Sequence, residues 1–252
     1  MAISHNLTNS LNLNYNATND NIINVNNLLG TDLSRSELSL FDNFLNIGEA
    51  NYFNQSLTLN YSLPFASIPY LDFVQSSYTY SGNFNWQTGS DILNNIIDSN
   101  GVVLGNISTI QNSNNQSIVA SLNFDKFYRN FKFLNKKNNF FDILKSLKRV
   151  RVNYTENSGK VIPGYVPSIG FFGTSKPSFG FIFGNQSNVR YELAKMGYLT
   201  NFSGFNEQFQ QVFNSKFEMS AEIQLFKNLK IDLNANRNYS NNYSENFRVN
   251  NN

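Results

Sequence analysis

The chain has 252 residues, a formal net charge of +2, no cysteine, a single histidine, 46 asparagines, and 14 % charged against 15 % aromatic residues. An ordinary soluble domain carries about 25 % charged residues, so this chain is amide-rich, aromatic-rich and charge-poor. Without Cys there is no disulfide framework, thiolate metal site or Cys nucleophile; the lone His5 excludes Ser-His-Asp triads and His-based zinc sites; the small charge excludes a strong field that would gather nucleic acid.

The first residues lack the basic and continuous apolar stretches of a signal peptide. No run of 18 apolar residues occurs, so no transmembrane helix is expected. What dominates is alternation with period two, the mark of strands. Leu7, Leu11, Leu13, Tyr15 and Ala17 share one parity against Thr8, Ser10, Asn12, Asn14 and Asn16. Residues 36–47 predict a short helix with Ser36 as its N-cap. Phe53, Leu57, Leu59, Tyr61 and Leu63 alternate with Asn54, Ser56, Thr58, Asn60 and Ser62, and Val74, Tyr78, Tyr80, Phe84 and Trp86 alternate with Gln75, Ser77, Thr79 and Asn85. A fourth strand is predicted on Ile118, Ala120, Leu122 and Phe124.

Residues 126–151 then hold nine of the 19 basic residues, offset nearby only by Asp125 and Asp142. No nucleic-acid motif accompanies them, so a solvated loop between strands is the expectation. Val150, Val152 and Tyr154 mark a fifth strand. Residues 157–188 follow as a long Pro/Gly-rich loop, in which Pro167 and Pro177 prevent a continuous strand. Long ordered loops plug, gate or bind, which makes Pro163, Gly164, Tyr165, Pro167, Phe181 and Phe183 the loop or gate candidates. A short helix is expected at 188–199, capped by Asn188 and ended by Gly197. Phe209 to Leu225 and Leu229 to Tyr239 supply the sixth and seventh strands, the last alternating with Lys230, Asp232, Asn234, Asn236 and Asn238.

Each strand thus has one apolar face and one polar, mostly uncharged face. A soluble sandwich buries the apolar face on a second sheet. An outer-membrane barrel turns it to lipid and lines its lumen with the polar face. Spanning strands need about 9–11 residues, which the first, third, sixth and seventh segments reach. Aromatic residues towards strand ends (Tyr15, Phe53, Tyr61, Phe84, Trp86, Phe124, Phe209, Tyr239) suit barrel girdles. A soluble sheet would expose more Lys and Glu, so the barrel is the better fit. Its candidate lumen-facing lining is Asn12, Asn14, Asn60, Asn234 and Asn236. The carboxylates are scattered, and Glu218 and Glu222 are expected to share a face only if the register slips. No enzyme, metal or cofactor is indicated.

Several segments resemble one family, the SprA/Sov outer-membrane translocons of the type IX secretion system and gliding motility. The resemblance is clearest at NLKIDLNANRNYSNNYSENF (228–247) and NYTENSGKVIPGYVPSIGFFG (153–173). It continues at 178–184 with YELAKMGYLT (191–200), at 42–60, at PYLDFVQSSYTYSGNFNW (69–86), and at 109–134. It implies an all-β chain whose antiparallel up-and-down strands form an arc of a large transmembrane β-barrel, with one or two short helices in loops. Residues 1–252 would be one partial wall segment, an internal fragment or split product, because members of the family are about ten times longer. The implied partners are the remainder of the barrel, a PorV-like capping barrel protein, a periplasmic plug protein, secreted cargo and outer-membrane lipid, with no nucleic acid. The implied location is the outer membrane at the cell surface. An ordinary porin or receptor barrel, and a soluble all-β cell-surface module, are the competing expectations.

Overall fold

A computed structural model of the chain describes residues 1–22, 49–89, 96–97, 101, 107–130, 145–169, 174 and 176–249. These form one antiparallel sheet of eight strands in sequence order: β1 (Ala2–Asn6), β2 (Leu11–Ile22), β3 (Glu49–Leu63), β4 (Val74–Thr88), β5 (Ser108–Asn123), β6 (Leu147–Tyr165), β7 (Gln208–Phe226) and β8 (Leu229–Asn246). Every strand pairs with its neighbour in sequence, the all-β, up-and-down arrangement expected. Among the described residues three short α-helices, α1 (Phe124–Asn130), α2 (Phe179–Ile182) and α3 (Arg190–Lys195), and one 3-10 turn, Phe65–Ser67, accompany it.

Strand parity carries across the whole sheet because the register is almost unbroken. One line of directly opposed residues runs Leu13, Leu59, Tyr80, Gln116, Glu156, Ser215, Tyr239. A second, two residues away, runs Leu11, Tyr61, Tyr78, Ile118, Tyr154, Phe217, Arg237. Successive side chains point to opposite faces, so these lines share the apolar face, and the Asn/Ser/Thr positions between them make up the other.

At one end lie the turn 7–10, the two-residue turn 227–228, and the connections 64–73 and 124–146, the last of which begins with α1. Thr8 Oγ1 closes the first by accepting from the Ser10 and Leu11 amides at 3.2 and 3.0 Å. At the other end, residues 166–207 form a long connection that folds back over the apolar face. The core lies beneath it: Phe53, Phe84, Trp86, Ile110, Ile162 and Phe209 from the sheet pack on Phe181, Ile182, Val189 and Leu193.

Several expectations need correction. Leu7 sits in a turn, and a further strand, β1, precedes it; its five residues, AISHN, are too few to show alternation. Phe124 opens α1 and does not end a strand. The strand begun at Val150 continues to Tyr165, so the Pro/Gly loop starts near 166 and not at 157. Pro163 and Gly164 fit inside β6 because the pairing shifts there, between Ser108 and Thr109, and Gly164 adopts φ +79°. The helix expected at 188–199 spans only Arg190–Lys195, and Val189, not Asn188, is its N-cap; Gly197 follows it at φ +70°. Glu218 and Glu222 share the polar face without any slip, opposite Asn153 and Arg149. Four strand residues separate them by about 13 Å, too far for an acid–base pair. The helix expected at 36–47 lies outside the described residues.

Candidate functional site: a two-faced wall and its strap

All five lining candidates lie on the polar face, in two groups at opposite edges. Asn12 faces Asn60 across β2 and β3, and Asn14 faces Thr58. Asn234 and Asn236 lie on β8 opposite Ser220 and Glu218. Short amide and hydroxyl bonds knit the first group: Asn14 Nδ2 donates to Asn12 Oδ1 at 2.5 Å, Asn12 Nδ2 to Asn6 Oδ1 at 2.7 Å, and Thr79 Oγ1 to Asn60 Oδ1 at 3.1 Å. Asn115 likewise donates to Asn157. Charges on this face are few and largely paired among themselves, as Lys216–Glu218 at 2.7 Å and Lys230 with Glu222 and Asp232 at 3.4 and 3.5 Å. A shallow hollow of about 300 Å³ opens on this face over β3 to β7, lined chiefly by Asn54, Asn83, Asn85, Gln111, Ser113 and Gln210.

The described part of the basic stretch lies at the short-turn end. Lys126, Arg149 and Arg151 border a polar hollow of about 200 Å³ with Gln75, Ser121 and Asn123. Lys148 pairs with Asp125 at 3.0 Å. Among the described residues no group of His, Asp and Glu could hold a metal ion.

The other face divides in two along the strands. Its half towards the short turns is an open apolar band in which Ile118, Tyr154, Met219, Leu225, Leu229 and Leu233 are exposed. The row of Tyr61, Tyr78, Tyr154 and Phe217 crosses the band near its upper limit. Tyr78 donates to Gln116 Oε1 at 3.1 Å and Tyr154 to Glu156 Oε2 at 3.0 Å, so both hydroxyls engage the polar row just above. Of the aromatic residues expected at strand-end girdles, Phe53, Phe84, Trp86 and Phe209 are instead buried in the core.

The half towards the long connections is covered by a strap, residues 178–199. The wall holds it by its backbone. Asn112 Nδ2 donates to Phe181 O at 3.1 Å and to Asn185 O at 2.8 Å. Gln55 Nε2 donates to Ile182 O at 2.9 Å, Tyr80 to Phe183 O at 2.6 Å, and Asn114 Nδ2 to Gly184 O at 2.8 Å. Lys160 Nζ donates to Gln186 O, and to Ser187 O at 3.0 Å. Seven consecutive carbonyls, 181 to 187, therefore accept from five side chains on four strands. The approach is close enough that glycine is required on both sides. A Cβ on Gly82 would lie 2.0 Å from Phe183 O, and one on Gly184, at φ +91°, would meet Ser113 O at 2.8 Å. At the far end the Arg190 guanidinium stacks 3.9 Å from the Phe209 ring centroid and pairs with Glu245, joining α3 to β7 and β8.

Of the loop or gate candidates, Phe181 and Phe183 belong to the strap, Phe181 wholly buried against Phe84 and Phe183 edge-to-face with Phe179 at 4.8 Å. Tyr165 is buried at the end of β6, where it bridges Leu199 on the returning chain. Pro163 and Gly164 lie in β6, and Gly164 O accepts from Thr200 N at 2.8 Å. Pro167 follows β6 and accepts from Trp86 Nε1 at 3.3 Å. The cradle of Gln55, Tyr80, Asn112, Asn114 and Lys160 was not among the sequence candidates. Its signal was polar residues standing on an otherwise apolar parity.

Fold and faces together define the class: an all-β antiparallel meander with an amide-lined face and a half-covered apolar face. No protein-family model matches the chain, and no curated protein matches it in sequence.

Proposed function

We propose that the chain is a stretch of wall in a large outer-membrane barrel of the SprA/Sov type, part of a protein-conducting channel. The observation that carries this is the sorting of two faces in one register across eight strands. The apolar band supports a lipid contact of the right size. From Tyr239 to Leu229 along β8 is ten residue steps, about 34 Å, or about 26 Å along the membrane normal at a tilt of about 40°; barrel bands are about 25 Å tall. Arg237, two residues inside that band, has a stem long enough to carry its guanidinium to the rim. Two of the four connections at one end are turns of four and two residues, as on the periplasmic side of such barrels, and the 42 residues of 166–207 leave from the other end, as extracellular loops do. An eight-stranded closed porin would pair β1 with β8; the described residues contain no such ladder. Both edges are then met by further strands of the same wall.

The amide and hydroxyl face suits a lumen through which folded cargo passes, because fixed charge would hold cargo of opposite sign. The test is charge reversal of that neutrality in the intact protein. Asn12, Asn14, Asn234 and Asn236 are changed together to Lys, then export of secreted proteins and outer-membrane assembly are measured. Export should fall while assembly persists. Unchanged export with the four lysines in place would remove the lining argument.

A further inference from the structure

We infer that the strap lies in the headgroup layer of the membrane and is the wall's contact with lipid polar groups. The inference rests on the wall reading above and adds a location and a partner chemistry to a segment that reading leaves unassigned.

The first ground is the state of the strap's backbone. A surface loop in water leaves many carbonyls to solvent, where the cost is small. Near hydrocarbon an unpaired backbone group has no water to bond and is strongly disfavoured. Here all seven carbonyls from 181 to 187 turn inward onto wall donors. Six of the seven amides from 181 to 187 are closed as well. Those of Phe181, Ile182, Phe183, Gly184 and Asn185 donate within the strap, and Ser187 N donates to Asn185 Oδ1. This is more internal satisfaction than a watery surface demands.

The second ground is what faces outward. Phe179 is 70 % exposed, Tyr191 and Met196 57 % each. Lys176 and Lys195 lie exposed among them, Lys176 over the Tyr198 ring at 4.9 Å. Aromatic rings with flanking cations are the composition of a membrane interface, where rings sit among headgroups and ammonium groups meet phosphates.

The third ground is height. Along β4 the strap touches the wall at Gly82, eight residues from Val74 at the strand's other end. Eight residues are about 27 Å along a strand and about 21 Å along the normal at the same tilt. Barrel bands are about 25 Å tall. The covered half of the apolar face thus begins near the upper limit of the hydrocarbon.

The chain has no Cys, so single labels are clean. Phe179→Cys, Leu233→Cys and Asn234→Cys are each tagged with a polarity-sensitive fluorophore in the full chain, reconstituted in phosphatidylcholine vesicles. Spin-labelled lipids then quench from headgroup depth or from mid-chain depth. The label at 179 should lose more emission to the headgroup quencher, and the label at 233 more to the mid-chain quencher, with 234 losing little to either. Quenching at 233 with none at 179 overturns the strap's placement and leaves the wall reading standing. So does quenching at 179 that is strongest from mid-chain depth, which would put the strap in the hydrocarbon. Absence of quenching at 233 overturns both. All three residues are exposed, and Phe179→Cys gives up its ring contact with Phe183; a Met196→Cys label repeats the strap measurement at a second position.

Discussion

Replacing Gly82 by Ala isolates the contact between strap and wall. The added Cβ would stand 2.0 Å from Phe183 O and 2.6 Å from Phe183 C, both backbone atoms with no side-chain freedom to yield. A comfortable C···O approach is about 3.3 Å, so the strap must retreat by about 1.3 Å. Tyr80–Phe183 at 2.6 Å and Asn114–Gly184 at 2.8 Å are then stretched to about 4 Å, beyond hydrogen-bond range. Each buried group left unpaired costs about 1–3 kcal/mol, giving about 2–6 kcal/mol for the two bonds. Against this, Ala gains about 0.5–1 kcal/mol over Gly in a strand, so destabilisation wins. The readout is built in. Trp86 is the sole tryptophan, 3 % exposed beneath the strap's approach and bonded to Pro167 O. In detergent, Gly82→Ala should shift its emission to the red, lower the denaturant midpoint, and open residues 178–189 to protease. Gly159→Ala, whose Cβ would meet Val212 Cγ2 at 3.3 Å, serves as the mild comparison. If Gly82→Ala unfolds like the parent with unchanged Trp86 emission, the close seating of strap on wall is wrong.

Two further outcomes follow from the faces. Leu233→Arg places a guanidinium in the middle of the apolar band and should cost about 2–4 kcal/mol of folding stability in bilayers. Asn234→Arg, one residue along on the opposite face, should cost little; equal effects in a bilayer unfolding titration would contradict the assignment of faces. The isolated chain, with an open apolar band and two unpaired sheet edges, should aggregate in water without detergent. A monodisperse, cooperatively unfolding monomer in detergent-free sedimentation would refute every membrane reading of it.

The sequence yields strands wherever the two faces differ, and misses them where that contrast disappears. The apolar parity of β5 becomes Asn112, Asn114 and Gln116 towards its start, and that of β6 becomes Glu156, Ser158 and Lys160 towards its end. Alternation therefore locates Ile118–Leu122 and Val150–Tyr154 but not the strand beyond them. The strap accounts for Asn112, Asn114 and Lys160, which it needs as donors on the face that elsewhere is apolar, and the tyrosine row for Gln116 and Glu156, which accept from Tyr78 and Tyr154. The same coupling explains why Phe53, Phe84, Trp86 and Phe209 read as girdle residues: an aromatic residue near a strand end looks alike whether lipid or a returning loop covers it. The five amides of β2, β3 and β8 fall on one face because the parity that places them runs unbroken through their pairings. The cradle was not legible, because a backbone ligand leaves no motif in the chain it docks.

A sheet in which each strand meets only its sequence neighbours has no long-range means of detecting a pairing error. The strap supplies one. Gln55 and Ile182 are 127 residues apart, and the donors it needs come from β3, β4, β5 and β6 together. A slip of one residue in any of these pairings sends that strand's donor to the opposite face; a slip of two moves it by about 7 Å, out of reach of its carbonyl. Seven bonds close together only on a wall assembled in one register, and the strap acts as its proofreader.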